Sequence, residues 1–250
     1  MNDIRLDIVP GTKFKIYQQK GQFSYTTDSL ALSGFAKPKG KVIDLGAGTG
    51  ILCFRMANNK NVTKIVAVEK NPITFDLLNK SININGLNKI ISSYNMGINE
   101  IIKQMGKASF NTVITNPPYF LKEGGITKRN LDLKMAMHET DLSLADWLRI
   151  SSELLVPKGS LYMINRPNRL QDIMYYARKG RLEIKEIRFI KNTQKALAKA
   201  VLIKAIKNGG NGMKLLSDLI LYDDSGNMTK DYLNYYQLSN NTQNEVQCER

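Results

Sequence analysis

The 250-residue chain holds a single histidine, His138, and only two cysteines, Cys53 and Cys248, far apart in sequence. That scarcity excludes a zinc site of the Cys/His-cluster kind and points to no metal. It also leaves any nucleophile–histidine catalysis to run through one residue. No uninterrupted apolar run approaches the ~20 residues that a membrane-spanning helix needs. The first twenty residues contain no apolar signal core, so the expected location is the cytoplasm and no membrane partner is expected. Acids are few, 22 against 36 Lys and Arg, for a net charge of +14. Such a surplus suggests an anionic partner, nucleic acid or an acidic membrane face. Lysine far outnumbers arginine, however, and asparagine is frequent, a bias that AT-rich coding alone can produce.

What is present suits a globular chain with a sizeable core: 42% hydrophobic residues and 23% charged ones. Leu6 to Val9, a Pro10-Gly11 turn and Phe14 to Tyr17 predict a hairpin, and Asp28 to Ala36 predicts a helix. From Lys41 the pattern changes. Val42 to Leu45 reads as a short buried strand, followed by Gly46-Ala47-Gly48-Thr49-Gly50 and a helix over Ile51 to Ala57. Ile65 to Val68 is a second strand closed by Glu69. Asn71 with Pro72 behind it reads as an N-cap and a first helical position, and that helix ends near Asn85-Gly86. Ile90-Ile91 and Phe110 to Thr115 are further strands. Ser143 with Asp146 forms a capping-box pattern that starts a helix through Leu155. Ser160 to Asn165, Leu182 to Ile190 and Ala198 to Ile206 complete the strands. Strands alternating with helices at this spacing indicate an α/β fold with an open, mostly parallel sheet covered on both faces. The expected organisation is an N-terminal appendage over 1–40, the main domain over 41–238 and a frayed polar tail over 239–250, with a monomer as the simplest assembly.

Two local patterns carry chemistry. The strand ending in Asp44-Leu45-Gly46-Ala47-Gly48-Thr49-Gly50 puts a backbone turn at the carboxyl edge of the sheet, where ligands bind in doubly wound folds. The spacing is neither that of dinucleotide binders nor that of a P-loop. Glu69, at the end of the next strand, stands where a carboxylate can accept both hydroxyls of a ribose. Together these features favour a nucleoside-type cofactor. The second pattern is Asn116-Pro117-Pro118-Tyr119, directly after a strand. Two prolines stiffen the exit from the sheet, so that the Asn116 side-chain oxygen and the Pro117 carbonyl can point at one spot as fixed acceptors. Tyr119 supplies a flat face beside them.

These residues resemble the class I S-adenosylmethionine-dependent methyltransferases that act on planar amino groups. The resemblance implies a seven-stranded Rossmann-like sheet and S-adenosylmethionine as cofactor, held by Asp44, Gly46, Gly48, Gly50, Glu69, Asn95, Met96 and Asn116. Asn95-Met96 falls where that class places an acid against the adenine amine; asparagine can still accept from the amine but carries no charge. Gly21 to Leu30, His138-Glu139 and Arg166-Pro167 narrow the resemblance to the bacterial family that methylates adenine 37 N6 in valine tRNA. This implies tRNA as partner, with Asn116 and Pro117 as acceptors for the amine and Tyr119 as the stacking face for the base. The chemistry needs no strong base, which leaves His138 outside the catalytic set. Other planar substrates fit the same tetrapeptide: glutamine in a release factor, guanine N2 in ribosomal RNA, or adenine in DNA. A non-catalytic RNA-binding module is the rival from another class.

One charge feature stands apart. Between Lys158 and Lys214 there are 14 basic residues and 3 acids, a local surplus of 11. Uniform coding drift would spread more evenly, so the concentration suggests a phosphate-binding face.

Overall fold

A computed structural model gives the fold of residues 4–19, 26–118 and 142–237, and all structural statements below concern these. The hairpin forms from β1 (Ile4–Ile8) and β2 (Lys15–Gln19), paired antiparallel. Helix α1 (Thr27–Phe35) follows. Then come β3 (Gly40–Leu45), α2 (Ile51–Met56), β4 (Val62–Glu69), α3 (Pro72–Ile84), β5 (Ile91–Asn95), α4 (Ile101–Met105) and β6 (Phe110–Thr115). The last part holds α5 (Leu144–Leu154), β7 (Leu155–Asn165), α6 (Leu170–Lys179), β8 (Leu182–Lys191), β9 (Ala198–Lys207), the two-residue strands β10 (Lys214–Leu215) and β11 (Leu219–Ile220), and α7 (Lys230–Gln237).

The main sheet runs β10-β8-β9-β7-β6-β3-β4-β5, with β11 also on β8. Every neighbouring pair is parallel except β7–β9 and β8–β9, so β9 alone runs against the rest. The seven expected strands are all present, and β10 and β11 extend the β8 side to nine.

The strands read as nearly continuous apolar runs because both faces are covered. Alternate residues feed two separate cores. Val42, Ile65, Ala67, Tyr162, Ile164 and Leu202 join one with α1, α2, α3, α7 and the hairpin. Ile43, Leu45, Val66, Val68, Met163 and Ile203 join the other with α4, α5 and α6.

Local chemistry sets the helix ends. Asn71 Oδ1 accepts from the N–H groups of Ile73 (2.9 Å) and Thr74 (3.2 Å), with Pro72 at the first turn. Ser143 and Asp146 close a reciprocal capping box. The predicted helix through Leu155 stops one residue earlier: Leu155 is already extended (φ −75°, ψ 135°) and opens β7. β7 then runs through Pro157-Lys158-Gly159 instead of starting after it, because Lys158 (φ 64°) lies where the register against β6 shifts. The long strand is one bulged element.

The hairpin is fastened to α3: Ser81 Oγ accepts from Tyr17 N–H (2.9 Å), and the Asn85 carboxamide both accepts from Lys15 N–H and donates to Lys15 O. On the same side the buried Arg55 of α2 gathers three other segments. Its guanidinium donates to Ser33 Oγ, to Pro10 O in the hairpin turn and to the carbonyls of Tyr235 and Tyr236 at the end of α7. Those two carbonyls lie in the last turn of a helix, where acceptors lack intrahelical donors and the dipole favours a cation.

Candidate functional site

The pairing register builds the site before any side chain is considered. Leu45 stands opposite Val68 on β4 and Thr115 on β6, and Glu69 stands opposite Asn95 on β5. One residue past Leu45 and Thr115 are Gly46 and Asn116. Gly46, Glu69, Asn95 and Asn116 therefore stand at one level along the carboxyl edge, on four adjacent strands. Thr115 Oγ1 donates to Leu45 O (2.8 Å) and ties the exits of β6 and β3 together.

The chain turns sharply at the end of β3. The N–H groups of Gly46 and Ala47 both donate to Val68 O at 2.9 Å, which folds the turn back against β4. Gly46, Gly48 and Gly50 all have positive φ, of 74°, 57° and 99°. The constraint differs between two of them. A Cβ on Gly50 would come within 2.5 Å of Leu78 Cδ1, so that position is closed by packing as well as by φ. A Cβ on Gly48 would meet nothing within 4 Å, so the space beside it is open to a ligand. Gly46 lies under the Trp147 ring of α5.

Two acids flank this turn. Glu69 accepts from Gly48 N–H (2.8 Å) and Asn71 N–H (2.8 Å), one on each carboxylate oxygen. Burial raises its pKa, and the N–H donors of Asn71, Gly48 and Lys70 pull it back. Each oxygen keeps a further acceptor position, since a carboxylate has about four. Asp44 is fully buried. Its Oδ2 accepts from Cys53 Sγ (3.3 Å), while Oδ1 has no partner. Burial pushes its pKa up to about 7; the Cys53 hydrogen bond opposes this and the Glu69 charge adds to it. Cys53 is shifted upward too, by burial first and then by the Asp44 charge. A buried carboxylate oxygen without a donor is costly, and it fits a ligand that brings an ammonium or another N–H group.

On β5 the Asn95 amide nitrogen donates to the carbonyls of Glu69 (2.9 Å) and Lys70 (3.0 Å), and Met96 N–H also donates to Glu69 O (3.2 Å). The pair thus braces the exit of β4 and leaves Asn95 Oδ1 as the remaining acceptor. On β6 the Asn116 Nδ2 donates to Ser29 Oγ of α1 at 3.1 Å. With the NH2 group turned to Ser29, the amide oxygen is directed away from it. Pro117 is buried and Pro118 exposed. Tyr119, His138, Glu139 and 21–25 lie outside the described residues.

The structure therefore brings together Asp44, the glycine turn, Glu69, Asn95, Met96 and Asn116 at one sheet edge. Three contributors were absent from the site as read from sequence. Ser29 sits inside the Gly21 to Leu30 stretch that carries part of the resemblance, but no role was attached to it. Cys53 and Trp147 carry no sequence signal beyond apolar periodicity. Among the described residues no group of three or more His, Cys, Asp or Glu could hold a metal ion, and no helix is long and apolar enough to cross a membrane.

The family model of the methyltransferase small domain matches residues 13–174, more than half of the chain. The chain belongs to that family. It is also similar to proteins named tRNA1(Val) (adenine(37)-N6)-methyltransferase. The one from Porphyromonas gingivalis is 27% identical over 184 residues, 70% of this chain and 71% of that protein. The one from Mannheimia succiniciproducens is 26% identical over 154 residues, 61% of this chain and 62% of that protein. Among solved structures, the methyltransferase is similar in fold to a predicted O-methyltransferase, Atu636 of Agrobacterium tumefaciens, with TM-score 0.66, 21% identity, 84% of this chain and 96% of that chain covered. It is likewise similar to Pyrococcus horikoshii TYW2 in complex with MeSAdo, with TM-score 0.58, 16% identity, 84% and 73% covered. The strand order around β3 and the single reversed strand β9 give this methyltransferase the class I architecture expected from its sequence.

Proposed function

We propose that this methyltransferase transfers the methyl group of S-adenosylmethionine to the exocyclic N6 amine of an adenine in tRNA, adenine 37 of tRNA(Val). The observation that carries the reading is the Asn116 carboxamide, fixed by Ser29 at the edge of the sheet one strand from the glycine turn. The names of the curated relatives support the substrate.

The residues present fit the cofactor. The unpartnered, buried Asp44 Oδ1 and the open space beside Gly48 suit its amino-acid end. Glu69, with acceptor positions to spare, suits the ribose hydroxyls, and Asn95 Oδ1 with Met96 suits the adenine. When bound, S-adenosylmethionine supplies an electrophilic methyl carbon on a sulfonium.

The chain's own task is to make a poor nucleophile competent. The N6 lone pair of adenine is delocalised into the ring. Asn116 Oδ1 and the Pro117 carbonyl each accept one amine hydrogen, which favours tetrahedral nitrogen and localises the lone pair. Held by these two acceptors, the nitrogen would be positioned to take the methyl group from the sulfonium, the sulfur leaving as a neutral thioether. One N–H proton then leaves to water, so no strong base is needed. The base must first leave its stack, and Tyr119 is the face on which it rests.

The test is mass spectrometry of nucleosides from tRNA incubated with the protein and isotopically labelled cofactor. Labelled N6-methyladenosine is expected with the wild type and is lost with Asn116→Ala, while cofactor binding is retained. Label in N2-methylguanosine, no label in any nucleoside, or undiminished turnover by Asn116→Ala refutes the assignment.

A further inference from the structure

The basic run between Lys158 and Lys214 is not one surface. Strand direction splits it between two opposite edges of the sheet, and ion pairs neutralise five of its fourteen charges. Arg169 pairs with Asp172 (3.0 Å), Arg178 with Glu183 (3.3 Å), Lys191 with Asp218 (2.7 Å), Lys204 with Glu186 (2.6 Å) and Arg188 with Asp231. Lys158, Lys185 and Lys207 donate to backbone carbonyls. Two acids that neutralise the run, Asp218 and Asp231, lie outside it in sequence.

What remains near the site is the turn between β8 and β9. Asn116 follows Thr115, which stands opposite Met163, so it is level with Ile164 on β7; Ile164 in turn stands opposite Leu202 on β9. Lys199 therefore lies three residues beyond that level, toward the solvent side of the catalytic edge. It is two strands from Asn116, about 10 Å to the side and about 10 Å further along the strand direction, or about 14 Å in all. Lys195 sits in the turn itself and is exposed. Neither lysine has an ion-pair partner among the described residues. The turn projects: Leu197, between them, is 93% exposed. The exposed Arg166 donates to Lys199 O (3.0 Å), which fastens the turn to the exit of β7.

We propose that Lys195 and Lys199, on the turn that Arg166 fastens, form the part of the basic surplus that engages the RNA, by holding phosphates that flank the base presented to Asn116. Lysines beside the catalytic edge that have no ion-pair partner among the described residues match a polyanion in charge, and phosphate contacts position a nucleic acid without reading its sequence. The proposal rests on the reading that the substrate is RNA, and it assigns the far-edge lysines no part in binding.

The test compares two double variants that change net charge equally. Lys195→Glu/Lys199→Glu alters the catalytic edge. Lys60→Glu/Lys179→Glu alters exposed lysines at the opposite edge. Binding of tRNA is measured by filter retention over a salt series, alongside methylation kinetics, cofactor binding and thermal unfolding. The first pair is expected to raise the Kd and the KM for tRNA tenfold or more. It should also flatten the slope of log K against log salt by about 1 to 2, given roughly 0.7 to 0.9 per phosphate contact. Its cofactor affinity and kcat should be retained. The second pair should stay within about twofold of wild type at every salt.

Near-wild-type tRNA binding by the first pair, or equal weakening by both pairs, overturns the proposal. Should the glutamates prevent folding, Lys195→Ala/Lys199→Ala reads the same quantities. The two readings fail separately. RNA that binds through this turn yet receives no methyl group refutes the reaction and leaves the surface standing. Adenine methylation at an unchanged KM in the first pair refutes the surface alone.

Discussion

Ser29 Oγ accepts a hydrogen bond from Asn116 Nδ2 at 3.1 Å, across 87 residues of chain. A carboxamide presents a donor or an acceptor depending on which way it is turned, and Ser29 decides between them. Ser29→Ala frees the amide to rotate, and losing one hydrogen bond of about 1 kcal/mol corresponds to roughly a fivefold effect. The expected outcome is a fall in kcat of about that size or larger, with cofactor affinity unchanged. Ser29→Thr, which keeps the hydroxyl, should restore most of the rate. Steady-state kinetics with cofactor titration checks this, and a Ser29→Ala enzyme with wild-type kcat refutes it.

Asp44 makes folding and cofactor binding respond to pH in a defined direction. Its pKa is about 7 in the fold against 3.8 for the free side chain. Between these values the folded chain holds a proton that the unfolded chain has lost. Its contribution to stability is therefore fully present below about pH 4 and is lost as pH rises through about 7. Asp44→Asn removes that dependence. The ligand-free variant should gain in melting temperature over wild type at pH 8 relative to pH 5, while its affinity for S-adenosylmethionine falls sharply at both. Thermal scans and calorimetry at the two pH values test this; parallel melting curves for the two proteins would argue against a protonated Asp44.

The glycine turn separates packing from ligand access. Gly50→Ala drives a methyl group into Leu78 and Phe54 at positive φ, and the protein should lose several degrees in melting temperature. Gly48→Ala meets open space, so the cost is limited to about 1–2 kcal/mol of backbone strain. Its main effect should be weaker cofactor binding, because the added methyl group occupies the ligand's side of the turn. Equal loss of stability in both variants would contradict this division.

Arg55→Met leaves the carbonyls of Pro10, Tyr235 and Tyr236 without the donor that gathers them. Each buried carbonyl left without its donor costs about 1–3 kcal/mol. The expected result is a destabilised protein in which α7 and the hairpin exchange amide hydrogens first, while β3, β4 and β6 stay protected. Hydrogen exchange read by mass spectrometry distinguishes this from uniform loosening.

Much of this was legible because it is local. Asn71 followed by Pro72, the Ser143–Asp146 box and the three glycines each specify their own backbone through a nearest-neighbour contact, and each formed as read. Helix α6 was not among the predicted elements although its stripe is helical: Leu170, Ile173, Tyr176 and Ala177 fall on one face and pack against one core, between polar and charged neighbours that give the segment the composition of a surface loop. Ser29 and Cys53 escaped for another reason: their partners, Asn116 and Asp44, meet them only once the sheet has ordered the strands. The excess of positive charge misled in extent, since a count along the chain cannot see Glu186 cross to Lys204 or Asp231 return to Arg188.

Ser29 and Ser33 lie one turn apart on α1, the first touching Asn116 and the second Arg55. The guanidinium that collects the closing helix therefore stands a single helical turn from the amide that aims at substrate. Anything that lifts the last helix away should be felt as blurred aim at the sheet edge, long before the main body melts.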